Sequence, residues 1–561
     1  MRNILTLGIL FLSALSALFS QSISDEEISR RIQSYKGDIR GPYKEIRWYC
    51  KDGTILPPQE RCPEPGGVQR ARHKEEVYAL SLSNHVFLGQ ILSTTPFPDF
   101  WDTVHNHSRL KQYQLEQYLR VIDNGWVLRK AQYYRGAFQA EDESQWGQDF
   151  YHWLLADEKV IEENYFLLRQ SLKDLPHQGD DNLTQEIRSV SRVISEKYPR
   201  FLDLRVKIHG QPEEVDLQKV IEFRNRNEKN LDAELLDLFE KLIGDMKKLY
   251  MPVDLNSLNI YLDQLTAGSG YKKGVVAGIA EYSLSEPGQE KISALSSILL
   301  NLRKEIMSVV GSDERLAVLG LSIVLEKLLM RELSGLSPKS IKDNLETINS
   351  LGMALTGCGY MELWEGEEVS SRIRISQEKE LTLNELMDFF ETGRRFTDWG
   401  IGMFRAHYNE VIDLYTGFEP LAEGFLDDQV RSSLLLYCGI TLDQLDKQLF
   451  SCRHGANRVM DIQGQHAIRG LNPGYAVGEL VVVSGQTGDL VMDRDKIYVF
   501  NKPPPDLKPV AGIATVSEGN MVSHVQLLAR NLGIPNSVLS AQNLEELKKF
   551  SGQRVFYAVS S

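Results

Sequence analysis

The chain has 561 residues, of which 42% are hydrophobic and 25% are charged. This balance is ordinary for a globular protein, and the length accommodates about two to four domains with ample core. The formal net charge is −14 at pH 7. Because contacts with nucleic-acid phosphates need a surplus of Lys and Arg, this charge argues against nucleic acid as a partner.

The N-terminus has the pattern of a secretory signal peptide. Arg2 precedes an uncharged apolar run over residues 4–19, and small or polar residues follow at 20–22. We therefore expect residues 1–20 to be a signal peptide cleaved after Ser20, and the mature protein to be periplasmic or extracellular. Since the residues before Ser20 do not form a clean Ala-x-Ala site, an uncleaved membrane anchor is the alternative.

Two of the five cysteines lie in the segment of residues 21–75, and the sequence around these two cysteines is rich in Pro and Gly. Such a segment has little core of its own, so we expect a disulfide between Cys50 and Cys62 to close its loop. Metal binding by the two thiols is the alternative, although without a nearby His they make an incomplete tetrahedral set. The remaining cysteines are expected to be buried thiols: Cys358, Cys438 and Cys452.

Residues 76–455 have the hydrophobic periodicity of helices. Apolar residues follow 3.6-residue spacing over 235–249 and again over 295–309. Thr382 and Glu385 form a capping box, which predicts that another helix begins there and buries Leu386, Phe389 and Phe390. The sequence therefore predicts an all-α region, with a break between two subdomains near residues 177–181.

Few polar residues of the helical region suggest chemistry. His105 and His107 resemble a fragment of a metal site, but no third ligand is identifiable from spacing, so a solvated loop is favoured. The acidic run at 365–368 has the composition of a cation site, and a solvated face is the favoured interpretation. Four basic residues could either recognise a phosphate or form salt bridges on helix surfaces, and salt bridges are the favoured interpretation. These residues are Arg394, Arg395, Arg405 and His407.

Beyond about residue 465 the pattern changes to short strands. Apolar or alternating runs occur at 480–483, 496–500, 512–516, 537–539 and 555–559, separated by Gly, Pro and Asp. The sequence predicts a compact domain over residues 465–561 that contains these strands.

One histidine of this domain, His524, stands at a predicted loop-to-helix junction. Ser523 is the expected N-cap, and Gln526 completes a capping box. Gly533 suits the C′ position and Pro535 blocks further helix. The apolar face expected for this helix consists of Leu527, Leu528 and Leu532. The imidazole would therefore stand at a helix N-terminus, where free amides and the helix dipole favour a bound dianion.

The residues around His524 resemble the phosphohistidine signature of the phosphoenolpyruvate-utilising mobile domain, which occurs in phosphoenolpyruvate synthase and pyruvate phosphate dikinase. That signature reads Gly-Gly-x-Thr-(Ser/Cys)-His-Ala-Ala, then two apolar residues and Ala-Arg-x-x-Gly-Ile-Pro. The matching positions are Gly519, Ser523, His524, Ala529, Arg530, Gly533, Ile534 and Pro535. The departures are Asn520, Val522, Val525 and Gln526.

Two further similarities extend this resemblance. Residues 470–478 look like the Pro-Gly-x-x-x-Gly that opens the same domain, with Pro473, Gly474 and Gly478 at the matching positions. Glucan water dikinases are similar in having an apolar residue before Ser-His. The resemblance implies a β/β/α swivelling phosphohistidine domain at the C-terminus, attached to a large all-α N-terminal body.

The resemblance also implies a function. His524 would be the phosphoacceptor, Ser523 would order the junction, and Gly519 would let the backbone approach the incoming donor closely. The family uses an ATP-grasp domain, with ATP and Mg²⁺, to phosphorylate the histidine, which then passes the group to an acceptor such as pyruvate. No ATP-grasp pattern is recognisable here. We therefore expect the kinase to act in cis, with this chain as the front part of a longer enzyme, or in trans.

A function from another class remains open. Export would place the chain where ATP is scarce, which favours a non-catalytic binding or structural protein that keeps the mobile-domain fold. The Ser523-His524 junction favours phosphoryl transfer. This chain itself is not expected to bind a metal or cofactor.

Overall fold

The computed structural model describes residues 22–38, 40–57, 59–64, 66–123, 126–127, 137–177, 182–210, 214–249, 258–373, 380–452, 459–460, 468–483, 492–501, 508–516, 526, 529–530 and 532–560. The chain forms two compact units. Unit 1 comprises Met1–Thr266, Met307–Ile323 and His407–Phe425, and unit 2 comprises Ala267–Ile306, Val324–Ala406 and Leu426–Ser561.

Unit 1 begins with a helix and a small sheet. Helix α1 spans Asp25–Gly37, and the strands are β1 Tyr43–Cys50, β2 Ile55–Leu56 and β3 Gly67–His73. The strands pair antiparallel in the order β2-β1-β3. Cys50 at the end of β1 and Cys62 in the loop before β3 form a disulfide. Backbone pairing and this cross-link together stabilise a segment that is poor in core residues.

The rest of unit 1 is mostly helical. Its first helices are α2 Glu75–Ser83, α3 Phe97–Trp101, α4 Ser108–Ile122, α5 Ala137–Leu154, α6 Glu158–Asp174, α7 Asn182–Lys197, α8 Leu202–Gly210, α9 Glu214–Asn227, α10 Ala233–Leu249 and α11 Asn259–Leu262. Short 3₁₀ turns lie at Leu92–Thr94, Thr103–His105, Pro199–Phe201, Glu228–Asn230 and Pro420–Gly424. Helices α7 to α10 share a core that contains Phe239, Leu242 and Met246.

The helices that follow are α12 Gly270–Leu284, α13 Gln289–Glu305, α14 Ser312–Ser334, α15 Ile341–Gly357, α16 Leu363–Arg372, α17 Leu383–Thr416, α18 Phe425–Arg431 and α19 Leu434–Cys452, with a 3₁₀ turn at Ile306–Ser308. Helices α14, α17 and α18 contribute residues to both units. Within unit 2, α15 packs against α13, α16 and α19. Its buried residues Leu345, Ile348, Leu351 and Leu355 recur at the spacing of one helix face.

Unit 2 also contains a six-stranded mixed sheet. Its strands are β4 Arg469–Asn472, β5 Gly474–Val483, β6 Lys496–Phe500, β7 Gly512–Thr515, β8 Asn536–Val538 and β9 Arg554–Val559, and helix α20 Ala541–Leu547 and a 3₁₀ turn Lys548–Phe550 precede β9. The order is β4-β8-β7-β6-β5-β9. Strands β5, β6, β7 and β8 pair in parallel, whereas β4 and β9 pair antiparallel at the two edges.

Both faces of this sheet are covered. One face packs with α20 in a core of Leu480, Ile497, Val499, Ala514, Leu539, Leu544 and Leu547. The other face forms a core of Tyr498, Phe500, Val510, Ile513, Ala529 and Ile534. Successive side chains of β6 enter opposite cores, which explains why its sequence is continuously apolar rather than alternating.

The predicted elements can be compared with these bounds. Each of the five apolar runs beyond residue 465 lies in or overlaps one of the strands β5 to β9, and the two periodic runs correspond to α10 and α13, so these predictions are confirmed. The capping box is also confirmed. The N–H of Thr382 donates to Oε2 of Glu385 at 2.9 Å, and the N–H of Glu385 donates to Oγ1 of Thr382 at 3.3 Å.

The cysteines and the apolar N-terminus complete the comparison. Cys358 and Cys438 are buried free thiols, as predicted. The side chain of Cys452 and the predicted signal peptide, residues 1–20, lie outside the described part of the chain. Over the described ranges, no helix combines the length and apolar character that crossing a bilayer requires.

We predict that the contact between α13 and α15 depends on Gly357. A Cβ atom at Gly357 would lie 2.4 Å from the carbonyl carbon of Leu299 and 2.5 Å from the backbone nitrogen of Leu300. Because backbone atoms cannot rotate away, Gly357→Ala should lower the free energy of unfolding by about 1–3 kcal/mol in urea titrations.

The matched control is Gly402→Ala in α17, where a Cβ would have no atom within 4 Å. Removing a helical glycine there should raise stability by about 0.5–1 kcal/mol. Equal effects of the two substitutions would show that the helices do not approach closely at Gly357.

Candidate functional site

The connection between β7 and β8 contains the predicted phosphoacceptor. Strand β7 ends at Thr515 and β8 begins at Asn536. Gly519, Ser523 and His524 lie outside the described residues. The N-cap and the capping box at this junction therefore stay predictions.

The C-terminal end of this connection has a defined geometry. Gln526, Ala529 and Arg530 are helical. Gly533 has a φ of +66°, its N–H donates to the carbonyl of Arg530 at 3.1 Å, and the N–H of Ile534 donates to the carbonyl of Ala529 at 2.8 Å. This pair of bonds is a Schellman motif, so the prediction of Gly533 at the C′ position is confirmed.

The prediction that Leu532 lies on the buried face is wrong, because its side chain is 44% exposed. Leu532 stands in the turn that leads into Gly533, where the chain leaves the helical path. A residue in this turn falls off the 3.6-residue apolar stripe. The described apolar residues that anchor the connection to the sheet are Ala529 and Ile534.

A buried asparagine of β4 holds the same end of the connection. Nδ2 of Asn472 donates to the carbonyl of Ile534 at 2.7 Å and lies 3.4 Å from the carbonyl of Ala529. The Ile534 carbonyl, just beyond the helix end, thus accepts from a buried side chain. Asn472 joins the edge of the sheet to the connection.

Two arginines of the C-terminal region pair with helices of unit 2. Nη1 of Arg530 lies 2.5 Å from Oδ1 of Asp398 in α17. Arg469 pairs with Asp443 and Asp446 of α19, each at 2.6 Å, and its side chain is only 9% exposed. Arg530, whose role the sequence leaves open, is thus engaged with a carboxylate.

Several of the other charged groups noted in the sequence also have polar partners. Glu365 accepts from the N–H of Glu362 at 2.8 Å at the start of α16. Glu367 pairs with Lys304, and Glu368 with Arg372. Nη1 of Arg394 lies 3.2 Å from Glu391 on its own helix, the surface pairing that the sequence favours.

Unit 1 brings together three residues that form a second candidate site. Nε2 of His85 lies 2.7 Å from Oδ2 of Asp102, and Nδ1 of His105 lies 2.7 Å from Oδ1 of the same carboxylate. These three groups each offer one metal-ligating atom, and the atoms all lie within 4.8 Å of one another. The backbone N–H of Arg109 also donates to Oδ2 of Asp102, at 3.1 Å.

The backbone around this cluster is strained. His85, Asp102, Asn106 and His107 have positive φ values of 53°, 48°, 51° and 58°. The left-handed conformation costs a non-glycine residue about 1–2 kcal/mol. Hydrogen bonds to Asp102 compensate for this cost and place His85, at the end of α2, beside the 3₁₀ turn of His105.

Asp102 is the electrostatic centre of the cluster, with only 8% of its side chain exposed. Burial raises its pKa, but hydrogen bonds from His85, His105 and the backbone of Arg109 outweigh that effect, so the pKa is lowered. The carboxylate is therefore ionised at neutral pH and can accept from donors or bind a cation.

A cavity of about 580 Å³ adjoins the cluster, with His85, Asp102, Asp99 and Arg109 in its wall. The Arg109 guanidinium donates to Oε1 of Gln90 at 3.1 Å and to Oγ1 of Thr95 at 3.0 Å. Among the described residues no carboxylate lies within ion-pair distance of it. The cavity wall thus contains the Arg109 guanidinium, which donates to neutral side chains, together with the side chains of His85 and Asp102.

Lys111 is buried next to this region, and His107 and His407 are partly buried there. Burial lowers the pKa of Lys111 to about 8 and that of His407 to about 4, and it also lowers the pKa of His107. Nζ of Lys111 is buried without a hydrogen-bond partner among the residues that the structure describes. Nδ1 of His107 donates to the carbonyl oxygen of Trp101 at 2.7 Å, and His107 is not part of the cluster.

Sequence reasoning identified His105 but missed two members of this site. His85 and Asp102 are separated by a helix and a 3₁₀ turn, so no short ligand spacing connects them. The expectation that His105 lies in a solvated loop is incomplete, because the loop folds back onto Asp102.

No protein-family model matches this chain, and no curated protein matches it either. Function is therefore inferred from the residues of this chain alone.

We predict that Asn472→Ala loosens the end of the connection that contains His524. The substitution removes the buried Nδ2 donor of the Ile534 carbonyl, which should lower the free energy of unfolding by about 1–2 kcal/mol. Hydrogen exchange measured by mass spectrometry should also become faster at Gly533 and Ile534. The exposed Asn501→Ala of the same domain serves as control and should change stability by less than about 0.5 kcal/mol. Unchanged exchange in Asn472→Ala would contradict the role of Asn472.

Proposed function

We propose that the chain is a phosphotransferase component in which His524 carries a phosphoryl group from a kinase to a small acceptor such as pyruvate. The observation that carries this proposal is the stretch from Gly519 to Pro535. It resembles the phosphohistidine signature of phosphoenolpyruvate synthase and pyruvate phosphate dikinase in order and spacing. The kinase is an ATP-grasp domain in cis or in trans, and ATP and Mg²⁺ enter through it.

The sheet topology supports the proposal. The connection that contains His524 begins at the carboxyl end of β7, and β7 and β8 are parallel. In parallel α/β sheets, ligands bind at the carboxyl ends of the strands, in the connections that begin there. The Schellman motif at Gly533 and the packing of Ala529 and Ile534 give this connection a fixed end.

The transfer chemistry follows from an imidazole at a helix N-terminus. One ring nitrogen of neutral His524 attacks the phosphorus, so an N–P bond forms as the P–O bond to the leaving group breaks. The acceptor oxygen then attacks the phosphorus, and the N–P electron pair returns to the ring. Because the neutral ring is the nucleophile, loading should rise with pH through the ordinary histidine pKa of about 6.5. Free amides at the junction would stabilise the phosphoryl oxygens.

We also propose that the chain is exported. Residues 1–20 have the signal pattern, and disulfides such as Cys50–Cys62 persist in oxidising compartments. An exported carrier needs a phosphoryl donor in the same compartment. If none exists there, the chain is a binding or structural protein that retains the fold.

We predict that His524 is phosphorylated in the protein's own cells. The full chain, purified at alkaline pH, should carry one phosphoryl group on the peptide that contains His524. Mass spectrometry should show that acid removes this group and alkali does not, because N–P bonds are acid-labile. The same preparation of His524→Ala should lack it.

The matched control is His466→Ala, which removes another histidine of the C-terminal region. This variant should retain the acid-labile group. If the wild-type chain carries no such group, or if His524→Ala keeps it, phosphoryl transfer through His524 is excluded and the binding or structural function is favoured.

A further inference from the structure

We propose that His85, Asp102 and His105 bind a divalent transition-metal ion of the zinc class, and that the adjoining cavity supplies a small oxyanion as a further ligand. Two imidazoles and one carboxylate form the protein ligand set of many catalytic zinc sites, which leave one position for water or substrate. This site lies in unit 1 and does not depend on the function proposed for His524.

The geometry of the three groups fits a metal ion. Bonds of about 2.0–2.2 Å from zinc to nitrogen and oxygen place tetrahedral ligands about 3.3–3.6 Å apart. The ligating atoms of His85, Asp102 and His105 lie within 4.8 Å of one another, and each nitrogen is 2.7 Å from a carboxylate oxygen. Shifts of about 1 Å or less are therefore sufficient. The side chains of His85 and His105 are 31% and 53% exposed, so they have room to move.

Asp102 is already held in the orientation of a ligand. The backbone N–H of Arg109 donates to its Oδ2, and such contacts from outside the coordination sphere orient metal ligands. His85 and Asp102 both have positive φ values, and the hydrogen bond between their side chains holds the two residues together.

The cavity gives the ion access to an exogenous ligand. His85 and Asp102 line its wall, and so does Arg109. The guanidinium of Arg109 donates to the neutral side chains of Gln90 and Thr95, and its charge also interacts with Asp99 and Asp102. An oxyanion in the cavity would have this guanidinium and the metal as its positive partners.

Cobalt binding tests the metal site. The full chain, freed of metals with a chelator, is titrated with Co²⁺ while its visible absorption is recorded. We expect one equivalent to produce the intense band of four- or five-coordinate Co²⁺, and Zn²⁺ to abolish that band. Asp102→Asn and His105→Ala should weaken Co²⁺ binding by at least about tenfold to a hundredfold.

A matched control is available in the same unit. His152 pairs with Asp313 through Nε2 at 2.6 Å, and no other imidazole of the described residues pairs with that carboxylate, so His152→Gln should bind Co²⁺ like the wild type. Circular dichroism without metal checks the folding of each variant, and the half-exposed His105 offers the mildest substitution. The metal site is refuted if wild-type chain gives no such band, or if folded His105→Ala gives the same band at the same Co²⁺ concentration.

Inorganic phosphate tests the anion ligand. Phosphate added to the Co²⁺-loaded chain should change the visible band, and Arg109→Gln should weaken the phosphate dependence at least several-fold while Co²⁺ still binds. A band that does not respond to phosphate, or responds equally in Arg109→Gln, contradicts an oxyanion held by Arg109 and the metal.

Discussion

Parallel pairing of β5, β6, β7 and β8 is the constraint on which the C-terminal region depends. Parallel neighbours cannot be joined by a tight turn, so each connection must cross a face of the sheet. Strand β6 is buried on both faces, and the connection from β7 to β8 contributes Ala529 and Ile534 to one of the two cores. Ala529 and Ile534, at the C-terminal end of the connection, therefore cover one face of the sheet, and Gly533 and Asn472 fix this end.

Local signals were sufficient to predict much of the fold. The strands of the C-terminal sheet, helices α10 and α13 and the cap at Thr382 all follow from short patterns of apolar, turn and capping residues. Gly533 was predictable because only a residue that tolerates positive φ ends a helix in this way. Leu532 was mispredicted because helical periodicity was extended one residue too far, into the turn where the chain direction changes.

Long-range assembly was not predictable from the same patterns. The three-stranded sheet of β1, β2 and β3 is built from a Pro- and Gly-rich segment, where backbone pairing and a disulfide replace an apolar pattern. The cluster of His85, Asp102 and His105 depends on left-handed backbone conformations that place distant residues on one carboxylate. Strain of this kind has no sequence periodicity, so the site becomes recognisable only in the folded chain.

We propose that the imidazole of His524 carries a phosphoryl group, and the N–P bond involved can be observed directly. The chain is produced in its own cells with ¹⁵N in its imidazole rings, purified at alkaline pH and examined by ³¹P NMR. Phosphoryl transfer through His524 predicts one phosphorus resonance that is split by a directly bonded ring nitrogen and is lost on acidification. A spectrum with only phosphate-ester resonances, or with no protein-bound phosphorus, would contradict the claim.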